Sequence, residues 1–164
     1  MSCTQAMMTL AAMLGLGGCT EAARPAGTQT SLYADLGQAD ARLDTAQARA
    51  MISAYRVNTG LGALRLDPVL QAAAEREAAI MARADNPGSA DAVKRRLVAD
   101  GVESPDANLS AGYRSLAQAF SGWRDSAPHD RVMKKGSATR MGIAAAYAPG
   151  SKYAVYWALV VAPE

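Results

Sequence analysis

His129 is the only histidine in the chain, so any step or ligand that needs an imidazole must use it. Histidine suits proton transfer near neutral pH and is also the commonest metal ligand. A lone imidazole grips a divalent cation poorly, because catalytic zinc sites commonly use three protein ligands. Asp106, Asp125 or Glu77 would have to supply the rest, so neither a metal site nor a cofactor is expected. Ser110, Ser121 and Ser126 offer hydroxyl nucleophiles with His129 as their base, yet the chain has no Gly-x-Ser-x-Gly elbow. Ser126, three residues before His129, is more simply a turn residue. A Gly-rich phosphate loop and a Cys-x-x-Cys pair are also missing. The residues describe a scaffold, not an evident catalyst.

The elements that must position these groups follow from periodicity. Asp40 to Asn58 has helical spacing, with Leu43, Ala46, Ala50, Ile52, Ala54 and Val57 forming an apolar face. Asn58-Thr59-Gly60 closes it, and Leu61, Leu64 and Leu66 pin the following loop. Asp67-Pro68 opens a second helix, Asp as cap and Pro at a position with no N–H to lose. That helix runs to about Ala84 with Leu70, Ala73, Ala74, Ala78 and Met81 on one face. Glu77 falls on the same stripe, either as the buried partner of Arg56 or as a cleft carboxylate. Ala90 to Asp100 is a third, shorter helix, and Asn108 to Tyr113 a weak strand. Leu116 to Ser126 is helical again, and Met141 to Tyr147 and Tyr153 to Val161 are strands joined through Pro149-Gly150-Ser151. Helices first and an antiparallel hairpin last predict an α+β layered domain.

Charge narrows the partners. Lys and Arg number 17 against 15 Asp and Glu, a formal charge of +2, with no basic stripe of the kind that binds nucleic acid. Lys94-Arg95-Arg96 and Lys134-Lys135 read as solvated surface. Ala6 to Leu16 is an uncharged apolar run, too short to span a membrane but suited to the apolar region of an export signal. It ends in Leu16-Gly17-Gly18-Cys19, which looks like a bacterial lipobox with Cys19 as the acylated residue. No Lys or Arg precedes Ala6, which leaves a frayed apolar terminus as the other reading. The division expected is a lipoprotein signal over 1–19, a flexible tether over 20–38 and a domain over 39–164. The mature domain would then hold no cysteine.

Five segments in this order resemble the bacterial branch of the CAP superfamily (cysteine-rich secretory, antigen 5 and pathogenesis-related proteins). They are Ile52–Leu61; Leu64–Leu70 leading to Ile80-Met81-Ala82; Asn108-Leu109-Ser110-Ala111-Gly112; Trp123–Arg131; and Met141-Gly142-Ile143-Ala144 with Tyr156–Val160. Together they span roughly residues 48–161. The resemblance implies an α+β fold, a three-layer α–β–α sandwich around a small antiparallel sheet. It also implies a cleft in which fuller relatives carry two His and two Glu able to hold a divalent metal. Here His129 matches the second His. The family's Gly-Glu-Asn reads Asp106-Ala107-Asn108, the first His has no counterpart between Met81 and Ala92, and Ser126 stands where some relatives have the other Glu.

His129, Asn108, Ser126 and Glu77 are therefore the candidate cleft residues. For His129 two readings stand: a structural histidine after Pro128, bonded to a backbone carbonyl, or a ligand contact. The expected function is an envelope-anchored, non-catalytic module that binds an apolar small molecule, a cell-wall component or an envelope protein. The alternatives are a hydrolase pairing His129 with Asp125 or Glu77, and a purely structural interaction module. Exported, membrane-anchored and facing the periplasm or exterior is the expected location.

Overall fold

A computed structural model describes residues 31–164 of the chain, so the proposed signal, Cys19 and most of the tether lie outside the described residues. The chain order is α1 (Thr45–Asn58), β1 (Arg65–Leu66), α2 (Pro68–Ala84), α3 (Ala90–Ala99), β2 (Asp106–Ala111), α4 (Leu116–Arg124), α5 (Ala127–Met133), β3 (Arg140–Tyr147) and β4 (Val155–Ala162). The strands form one sheet in the order β1-β3-β4-β2. β2 and β3 run antiparallel to β4, and the two-residue β1 adds a parallel edge beside β3. None of the helices among the described residues is long and apolar enough to cross a membrane.

Strand β4 shows why the domain has three layers. All eight of its residues are buried, the mark of a strand covered on both faces. Val155, Trp157, Leu159 and Val161 face the core formed with α1, α4 and the end of α5. Tyr156, Ala158, Val160 and Ala162 face the core formed with α2 and α3. This is the expected α–β–α sandwich. Trp157 and Trp123 meet edge to face with centroids 6.1 Å apart, so the two largest side chains anchor the first core. On the other face α2 lies so close to β3 that a Cβ on Gly142 would come within 2.2 Å of the Leu70 backbone.

Local chemistry sets the ends of the elements. Asp67 accepts from the backbone N–H groups of Val69 and Leu70, each at 3.0 Å, and starts α2 where the sequence predicts. The buried stripe of α2 is Leu70, Ala73, Ala74, Glu77, Ala78 and Met81, also as predicted. Helix α1 differs. Asp44 caps it through Gln47 N, so it begins at Thr45 rather than Asp40. Its buried residues are Ala48, Ile52, Ser53 and Arg56, while Ala46, Ala50, Ala54 and Val57 are exposed. The sequence expected one helix from Leu116 to Ser126. Instead α4 stops at Arg124, and Ser126 begins the separate seven-residue α5 with Pro128 in its first turn. The expected tether also ends early, because Leu36 is buried and its N–H donates to Arg114 O at 2.7 Å. Leu32 packs against the same core.

Arg56 is the main departure from expectation. It is fully buried and pairs with no carboxylate among the described residues. Its Nε donates to Gly62 O at 2.8 Å, Nη1 to Met133 O at 2.8 Å and Lys135 O at 2.9 Å, and Nη2 to Ala138 O at 2.9 Å. The expected pair with Glu77 does not form, because the two residues belong to opposite helical layers. A guanidinium carries five N–H donors in a fixed fork, and here that fork gathers the loop after α1, the end of α5 and the turn into β3.

The Gly142 contact gives a direct check on the layer spacing. Gly142→Ala places a methyl group against rigid helix backbone, and overpacking of this kind should cost about 2–3 kcal/mol. Urea unfolding would measure it; an unchanged midpoint would mean that α2 and β3 separate easily.

Candidate functional site

Because β2 is an edge strand, its far side is open to the two helical layers, and α3 and α5 flank it. Between them lies an open cleft of about 370 Å³ lined by Lys94 of α3, Asp106, Ala107, Asn108 and Leu109 of β2, and Pro128, His129, Arg131 and Val132 of α5. The loop residues Pro87 and Gly88 close one end. Of the four candidate residues, His129 and Asn108 meet here. Ser126 stands at the start of α5 outside this lining, its side chain making no capping bond, and Glu77 lies elsewhere.

Asn108 fixes the cleft. It pairs with Leu159 of β4, which places its side chain on the α5 side of the sheet. The fully buried amide donates from Nδ2 to His129 O at 2.9 Å. This bond ties the edge strand to α5 and fixes the amide's orientation, since a flipped amide would set oxygen against oxygen. Asn108 Oδ1 is buried and has no hydrogen-bond partner among the described residues. The sequence reading had the His129 imidazole bonded to a backbone carbonyl; instead it is the residue's own carbonyl that takes part, as acceptor from Asn108.

The half-buried His129 side chain makes no hydrogen bond among the described residues. Burial holds its pKa below the ordinary value, so the imidazole is neutral at pH 7. Neither carboxylate proposed to orient it does so. Asp125 takes a 2.9 Å bond from Arg124 Nε. Glu77 is buried in α2 and forms an ion pair with Arg96, with Arg76 at 3.8 Å. The Glu77 carboxylate borders a separate pocket with Ile80, Met81 and Ala92. Its expected role as a structural ion pair is realised, with arginines of α2 and α3 instead of Arg56.

Two lining cations, Lys94 and Arg131, lay outside the expected cleft residues, and Asp106 entered the sequence reading only as a metal ligand. Lys94 Nζ contacts Asp91 at 2.8 Å and Asp106 at 3.8 Å. Asp106 also faces Lys135 at 3.9 Å. Arg131 is exposed and has no ion-pair partner among the described residues. The run Lys94-Arg95-Arg96 is thus more than solvated surface: on one helix, Lys94 serves the cleft and Arg96 the buried Glu77. No spacing in the sequence signals this, since the two roles come from opposite sides of α3.

The divalent cation implied by the family's tetrad does not fit this lining. Lys94 and Arg131 repel it, the only imidazole stands alone, and Asp106 is already held between two lysines. Among the described residues no three His, Cys, Asp or Glu side chains gather where a metal ion could be held.

A four-stranded sheet between two helical layers, with an open cleft over its edge strand, defines the class of domain. The cysteine-rich secretory protein family, CAP, matches residues 49–161, and the chain belongs to that family. Among solved structures it is similar to an outer surface protein from Borrelia burgdorferi, with 14% identity and a TM-score of 0.61 over 76% of this chain and 98% of that one. It is also similar to an extracellular protein containing an SCP domain from Bacillus anthracis, with 16% identity and a TM-score of 0.60 over 73% of this chain. A cysteine-rich secretory protein from Staphylococcus aureus has 14% identity and a TM-score of 0.56 over 74% of this chain. The chain spans 40% of the length of each of the last two. No curated protein matches it.

The lowered His129 pKa carries a signed prediction. The unfolded chain takes up this proton near pH 6.5 and the folded chain only at lower pH. Stability from this group is therefore intact above the ordinary value and declines as pH falls toward the folded one. The stability difference between wild type and His129→Gln should change across that window and stay constant above pH 7. Parallel curves would show that burial does not perturb the imidazole.

Proposed function

We propose that this chain is an exported binding module, held at a membrane through acylated Cys19, that takes up a polar component of the cell wall in the cleft beside His129 without transforming it. The observation that carries this reading is the cleft itself. It is open and shaped by a buried Asn108, its lining is mostly polar, and no carboxylate bonds the imidazole. A general base needs its partners within hydrogen-bond reach, and His129 has none to orient it among the described residues.

Among the ligands the sequence suggests, polar groups along the cleft favour a wall component over an apolar molecule. Desolvating Lys94, Asp106 and Arg131 beneath an apolar ligand would be costly. Two bacterial neighbours described as extracellular and as an outer surface protein support export, and the lipobox at Cys19 supports the anchor.

Incubating the purified chain with solubilised cell-wall and lipid extracts, then identifying retained molecules by mass spectrometry, tests the proposal. A polar wall fragment should be retained with its mass unchanged, and His129→Ala should alter its retention. A turnover activity that disappears in His129→Ala, or retention of lipids alone, would overturn it.

A further inference from the structure

We infer that the cleft over β2 recognises a ligand carrying an anionic group, a carboxylate or a phosphoester, beside a hydrogen-bond donor. This rests on the cleft being the binding site and adds the chemistry it reads. Two cations, Lys94 and Arg131, line the cleft against one carboxylate, Asp106. Asp106 is shared with Lys135 and Lys94 also leans on Asp91 at 2.8 Å, so three cations meet two carboxylates and the excess positive charge rests on Arg131. Arg131 has no ion-pair partner among the described residues, and its planar fork suits the two oxygens of a carboxylate or phosphate.

The donor is required by Asn108. Its Oδ1 is buried without a partner in the same lining, and a buried polar group left unsatisfied calls for a physical explanation. The amide cannot turn to remove the deficit, because Nδ2 is committed to His129 O. A ligand N–H or O–H beside the anionic group would satisfy Oδ1 while the charge meets Arg131 and Lys94. His129 lies between these groups in sequence and adds a further positive charge when acid protonates it, with Lys94, Arg131 and Asp106 as the charged groups sharing its cleft.

NMR titration of the full-length chain with four probes separates these contributions. N-acetylglycine carries an amide N–H beside a carboxylate, and glycerol 3-phosphate carries hydroxyls beside a phosphoester. Acetate has the charge without the donor, and N-acetylglycinamide has the donor without the charge. One of the first two should bind at least ~10-fold more tightly than either control, and which one it is names the anion. Amides of Lys94, Asn108, His129 and Arg131 should shift. Lys94→Gln and Arg131→Gln should each weaken binding at least ~3-fold, and raised salt should weaken it further, whereas Arg95→Gln should leave it unchanged. Equal binding of N-acetylglycinamide, insensitivity to both charge variants, or silence of the cleft amides toward both anions would overturn the inference. If only the neutral probe shifts cleft amides, the cleft remains a binding site with other chemistry. If a retained wall fragment shifts amides elsewhere, the cleft reading itself falls.

Discussion

The Arg56 guanidinium is buried without a counter-ion among the described residues, and its charge is met by four backbone carbonyls from three separate segments. Burying a charge is tolerable only when hydrogen bonds replace the lost water, and here the carbonyls supply them, that of Lys135 while also accepting from Ala138 N at 3.1 Å. Two of them, Met133 and Lys135, belong to the end of α5 and the turn beyond it. The same side chain therefore sets where α5 ends and where β3 enters the sheet. Tyr55, one residue earlier, donates to Asp130 of α5 at 2.7 Å, so α1 holds the short helix at two points. A seven-residue helix has little stability of its own, and these contacts replace what its length lacks.

The position of α5 decides what the cleft can be. Asn108 grips its His129 carbonyl from the sheet side while Arg56 and Tyr55 hold it from the α1 side. The polar groups of the lining are then held together: the half-buried imidazole, the exposed Arg131 guanidinium and the buried, unpartnered Asn108 Oδ1. The buried charges elsewhere are answered. Glu77 has Arg96, and Asp67 has its two backbone donors and Arg140 at 3.2 Å. Of the buried side-chain atoms without a hydrogen bond among the described residues, Asn108 Oδ1 is the one that belongs to the cleft lining, over the edge strand and between the layers.

Much of this was legible in the sequence where a residue's local chemistry agrees with its tertiary setting. Asp67-Pro68 starts α2 because cap and first-turn proline act within a few residues. The α2 stripe was readable because small alanines leave one face fit for close packing against Gly142. The α1 stripe was misread because its alanines do not reveal a direction, and the face that is buried carries an arginine. Glu77 was correctly suspected of burial, but its partner was not deducible, since Arg96 reaches it only once α3 folds back beside α2. His129 and Asn108 could be placed together from the family resemblance. Lys94 and Arg131 could not, because charged residues on short helices look alike whether they face water or a cleft. α5 was hidden by its length and by the single residue, Asp125, that separates α4 from Ser126.

Hydrogen exchange on an Arg56→Met variant is the most direct test of whether one side chain holds the cleft's helix. The account predicts that amides of α5 and of the turn from Lys134 to Ala138 lose protection first, by about 10-fold or more, while those of β4 retain theirs relative to the variant's own global stability. Loss of protection spread evenly over the sheet and all helices, or none at α5, would contradict it.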